Sequence, residues 1–148
     1  MNDKLELKDL WPIIEEKINL GGEAVINPGG VSMLPLIKAG RDSVVLVKPK
    51  STLKKYDVAL YQRKSGQFVL HRVVKVLDNT YTMCGDNQFW HEKDIPKDAV
   101  LALMTAVIRK GKKIDVNNGM YIVYSVLIVY FRIIYGFFKR ALRKIIKR

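Results

Sequence analysis

The sequence predicts a mainly β, largely antiparallel domain with one amphipathic helix before it and a transmembrane helix after it. Three observations carry this: short β-type runs punctuated by turn residues through the middle of the chain, a helical apolar period near the N-terminus, and one long apolar stretch near the C-terminus. Its 148 residues make one domain's worth of protein, and 49% apolar against 27% charged residues excludes disorder and collagen-like repeats. The single cysteine, Cys84, excludes an intramolecular disulfide and a cysteine-rich zinc site.

Leu7, Leu10, Trp11, Ile14 and Ile18 recur at helical spacing, so a helix is expected over residues 5–20, with Asp9 as cap and Pro12 in its first turn. Gly21 and Gly22 stop it. β-type runs follow at 24–27, 43–48, 57–63, 67–77, 80–84 and 99–108, giving a β-domain over 23–116. Turn signals separate them, among them Asn27-Pro28-Gly29-Gly30, Lys64-Ser65-Gly66 and Asp78-Asn79. Gly119 marks the junction between residues 1–118 and a C-terminal unit over 119–148.

That unit opens with MYIVYSVLIVYFRIIYGFF, residues 120–138. As a helix these residues are about 28 Å long, close to the hydrocarbon thickness of a bilayer. The following KRALRKIIKR sets Ala141, Leu142, Ile145 and Ile146 at helical spacing among basic residues, as in a segment that lies on an anionic leaflet. A crossing helix is preferred over a flat interfacial helix or a helix buried in a soluble core, for which the basic tail has no role. The positive-inside rule then places the tail in the cytoplasm and residues 1–118 on the extracytoplasmic face of the cell membrane, as a single-pass protein.

Lys plus Arg number 26 against 14 Asp plus Glu, a net charge of +12, of which seven charges belong to 119–148. The high charge is therefore largely a property of the tail and not an argument for nucleic acid. Arg109, Lys110, Lys112 and Lys113 form a basic patch, but without aromatic interleaving or a recognition motif. No metal-ligand spacing, Walker-type loop or dinucleotide fingerprint occurs, so no cofactor and no metal are expected.

Three short blocks remain: Gly30-Val31-Ser32-Met33-Leu34-Pro35, Leu70-His71-Arg72-Val73 and Gly85-Asp86-Asn87. Each alone reads as a turn, a core histidine or another turn. In this order, with Ala39-Gly40-Arg41-Asp42 and Lys55-Tyr56-Asp57-Val58 between the first two, the chain over roughly residues 20–115 resembles the signal peptidase I superfamily, which includes the self-cleaving repressor proteases. The resemblance implies the signal-peptidase-like antiparallel β catalytic domain, a Ser32 nucleophile and a base at His71, as in the histidine variant found in the endoplasmic reticulum. It also implies a third, orienting carboxylate. Asp94 is the first choice, Asp86 the second, and Glu92 also competes.

A histidine fits the base role from first principles, since its ordinary pKa of about 6.5 lets it accept a hydroxyl proton near neutrality. Gly30 stands where many bacterial relatives carry a hydroxyl residue, so backbone amides around Gly30, Val31, Ser32 and Met33 are left to hold the oxyanion. Arg41 splits one Gly-Asp pair of the family pattern and Tyr56 replaces the glycine of the other. The expected activity is a membrane-anchored serine endopeptidase that cuts leader or signal peptides after small residues. The alternative is an inactive, membrane-tethered peptide-binding or regulatory relative.

Overall fold

The computed structural model describes residues 6–146; residue 5 of the expected first helix, and Lys147 and Arg148 of the tail, lie outside the described residues. Helix α1 (Leu7–Asn19) is followed by eight strands: β1 (Ala24–Ile26), β2 (Asp42–Val47), β3 (Val58–Gln62), β4 (Phe68–Val76), β5 (Thr80–Cys84), β6 (Glu92–Pro96), β7 (Val100–Arg109) and β8 (Lys112–Asp115). Helix α2 (Gly119–Ile146) closes the chain. All strand pairs are antiparallel, in the order β1-β2-β7-β3-β4-β5-β6, with β8 also on β7. The fold is thus a mainly antiparallel β-sheet between an N-terminal helix and an apolar C-terminal helix.

Side-chain alternation along β3 separates two apolar clusters, one on each side of the sheet. Val58 and Leu60 join Trp11, Ile18, Met33, Leu46 and Met104 in the larger cluster, where Trp11 meets Phe68 at 5.5 Å between ring centres. Ala59 and Tyr61 join Leu53, Val69, Val73, Tyr81 and Met83 in the smaller one.

Several local expectations change. Asp9 is not the cap of α1: Glu6 holds that position, and the Asp9 carboxylate accepts the Glu6 amide from the third helical residue at 3.2 Å. Pro12 lies inside the helix, beyond its first turn. Leu10, expected in the apolar stripe, is 37% exposed and lines a cleft. Strands β6 and β8 fall where no run was expected, because EKDIP and KKID have no apolar alternation; each pairs with a single strand in the sheet. The basic tail is not a separate element but continues α2 without a break to Ile146.

Helix α2 is capped by Asn118, whose side chain accepts the Met120 amide at 3.0 Å. Gly119–Arg143 is long and apolar enough to cross a membrane, and only 17% of its most apolar window is buried.

Candidate active site

The three sequence blocks converge. Ser32 sits in a turn after β1, where Gly30 takes the left-handed φ of +78° that favours glycine. The Asn87 amide donates to the Ser32 carbonyl at 2.8 Å, and the Asn87 side chain donates to the Val31 carbonyl at 3.2 Å. Gly85 makes this approach possible: a Cβ there would stand 2.6 Å from the Ser32 carbonyl oxygen. The Gly85-Asp86-Asn87 loop is therefore the clamp on the Ser32 turn.

His71 and Arg72 are neighbours on β4 and, by strand alternation, point to opposite sides of the sheet. His71 is directly opposite Ala59 and diagonal to Tyr61 on β3. Its Nδ1 lies 3.1 Å from the Tyr61 hydroxyl and 3.6 Å from Glu92 Oε1. Glu92 is gripped by Arg63, with Arg63 Nε donating to Oε2 at 3.0 Å and a second bond running to Oε1. The Glu92 carboxylate also acts on the Tyr61 hydroxyl and favours its protonated form. A phenol has one proton to give. When the phenol oxygen accepts from Nδ1–H of His71, the imidazole lone pair is left on Nε2.

Burial pushes the His71 pKa down to about 4, although the Glu92 charge opposes this. The imidazole is therefore neutral at physiological pH. Burial tends to raise the Glu92 pKa, but the bonds from Arg63 and Tyr61 outweigh it and hold Glu92 ionised below its ordinary value. Burial, reinforced by Glu92, drives the Tyr61 hydroxyl far above its ordinary range, so it stays protonated.

On the other side of the strand Arg72 is 1% exposed and makes four hydrogen bonds. Two go to Asp86 at 2.7 and 2.8 Å, one to the Tyr56 carbonyl at 2.8 Å and one to the Ser125 hydroxyl of α2 at 2.9 Å. The Tyr124 hydroxyl, also on α2, donates to Asp86 at 2.9 Å. Burial alone would lower the Arg72 pKa, and the paired Asp86 reverses this and raises it.

The candidate carboxylates thus occupy three different places. Glu92 is the one beside His71, Asp86 is committed to Arg72 and Tyr124, and Asp94 is exposed at φ +57° on β6. Asp94 lines a separate cavity of about 530 Å³ between β4, β5 and α2. Ser32 and His71 open on another cleft, of about 1130 Å³, together with Gly30, Val31 and Met33. Its walls include Leu10 and Ile13 of α1, Val25 and Ile26 of β1, and residues 67–71. Met33 is also 4% exposed and part of the larger core cluster.

Tyr61 and Arg63 belong to this site without having been singled out in the sequence. Their signal is positional, since both lie in the β-type run that pairs with the His71 strand. Tyr56 takes a left-handed φ of +82°. No group of side chains able to hold a metal ion occurs among the described residues. The chain matches no known family model, and no curated protein matches it.

Proposed function

We propose that this chain is a membrane-attached serine endopeptidase of the signal peptidase I type, acting on leader or signal peptides with small residues before the cut. The observation that carries the reading is that the Ser32 turn and a neutral, buried His71 share one cleft, with His71 backed by Tyr61 and Glu92. In the proposed reaction Ser32 Oγ attacks the scissile carbonyl while His71 Nε2 takes its proton. The imidazolium is stabilised through Tyr61 and Glu92, and backbone amides of the Ser32 turn receive the oxyanion. His71 then protonates the leaving amine, and the acyl-enzyme is hydrolysed by water with His71 again as base.

The substrate fits as an extended strand. β5 begins to pair with β4 at Arg72, so, among the described residues, 68–71 have a ladder partner only on β3, and β1 pairs only with β2. Both edges border the cleft, where a peptide backbone adds by β-augmentation and shallow pockets select small side chains. Attachment at the cell membrane through α2 concentrates enzyme and leader at one surface. A crossing α2 with its basic end in the cytoplasm would place residues 1–118 on the extracytoplasmic face; the packing of α2 favours another arrangement, set out below. The test is cleavage of a leader-peptide library by the detergent-solubilised protein beside Ser32→Ala and His71→Ala, which also decides against the inactive binding relative if cleavage occurs and both substitutions abolish it.

A further inference from the structure

Helix α2 is not a free rod. Tyr121, Ser125 and Val129, spaced four residues apart, are buried against the domain, and Tyr124 and Ser125 are bonded to Asp86 and Arg72. The contact continues down the helix: Arg132 lies 4.6 Å over the Phe89 ring, and Phe89 stacks on Tyr135 at 4.6 Å. More than half of α2 is thus engaged by the domain.

The opposite side is apolar from end to end. Val123, Leu127, Phe131, Ile134, Phe138, Leu142 and Ile145 follow one another at three- and four-residue steps, and each is at least half exposed. Lys139 and Arg143 come 18 residues after Tyr121 and Ser125, which is about five helical turns, so the four share one azimuth. The face that meets protein in the first half of α2 therefore becomes cationic in the second half. A helix crossing a bilayer has no use for a side that is held by protein along one half and cationic along the other, whereas a helix lying in the headgroup region does.

We propose that α2 does not cross the bilayer but lies in the plane of one leaflet, held between the domain and an anionic lipid surface. Its apolar stripe enters the acyl boundary, and Lys139 and Arg143, on the opposite face, stand at headgroup level. Crossing would strip α2 from Asp86, Arg72 and Phe89 and carry Arg132 into hydrocarbon. In-plane attachment keeps all of these contacts. This inference is independent of the protease reading, because its readouts do not involve cleavage.

The experiment uses the full chain in sealed membrane vesicles, with a cysteine at Lys64 in the domain or at Arg143 in α2; native Cys84 is buried. An impermeant maleimide should reach both from the same side, and labelling from opposite sides would overturn the proposal. Environment-sensitive labels at Val123, Leu127, Ile134 and Leu142 should report one common depth to lipid-borne quenchers. A steady change of depth along the series means a crossing helix, and no quenching means that protein, such as a second copy, covers the stripe; either result rejects the in-plane model. With phosphatidylglycerol vesicles, Lys139→Glu with Arg143→Glu should weaken partitioning by about tenfold or more. Unchanged partitioning would remove the anionic lipid from the account.

Discussion

His71 and Arg72 are adjacent in one strand and equally buried, yet the protein treats them in opposite ways. Arg72 is met by a paired carboxylate, a carbonyl and a hydroxyl, which satisfy its charge inside the fold. His71 has one phenol at hydrogen-bond distance and a carboxylate at 3.6 Å, and desolvation dominates its protonation. A fully compensated charge serves as a fixed strut; an undercompensated imidazole remains neutral and able to take a proton. Strand alternation alone separates these two environments.

Breaking the strut should have the largest effect. Asp86→Ala leaves Arg72 charged, buried and unpaired, and should cost about 3–5 kcal/mol of stability, measured by denaturant unfolding. His71→Leu, which removes a buried polar ring from the other side, should leave stability nearly unchanged while lowering kcat/KM by about 10³-fold or more. Equal losses of stability from the two would dissolve the contrast.

Gly85→Ala tests the link between the two sides, since the new methyl group meets the Ser32 carbonyl at 2.6 Å. The expected cost is about 1–3 kcal/mol of stability, with a fall in kcat/KM in the fraction that remains folded. Normal activity would mean that the clamp does not position Ser32. Glu92→Gln should reduce kcat/KM by about tenfold to a hundredfold, less than loss of the base itself, whereas Asp94→Asn should change it by less than about twofold, given its exposure on the other cavity. The reverse ranking would return the orienting role to Asp94.

The pH dependence is the gentlest test. Because the folded pKa of His71 is about 4 and its ordinary value 6.5, the unfolded chain binds the proton more readily between these limits. The contribution of neutral His71 to stability is present above about pH 6.5 and lost as the pH falls through about 4. The acid limb of kcat/KM should likewise lie near pH 4, and an inflection near 6.5 would show that the imidazole is solvated.

Much of this was legible in the sequence. The period-two runs gave six of the strands, and the order of the Ser32, His71 and Gly85-Asp86-Asn87 blocks anticipated that they meet. What stayed hidden depended on long-range placement. β6 and β8 are charged strands at the margins of the sheet, where burial imposes no alternation. Which of Glu92, Asp86 and Asp94 lies beside His71 depended on the pairing of β6, where no apolar pattern announces the left-handed Asp94. The docking of α2 was equally invisible, because Ser125 and Tyr124 acquire meaning only opposite Arg72 and Asp86.

The most direct test of the central claim is cleavage of a leader-peptide library by the wild-type protein, Ser32→Ala and His71→Ala, with folding checked for each. The expected result is cleavage after small residues by wild type and a loss of at least about 10³-fold in both folded variants. Cleavage that survives either substitution, or a wild-type protein as inert as both variants in the presence of lipid, would contradict it.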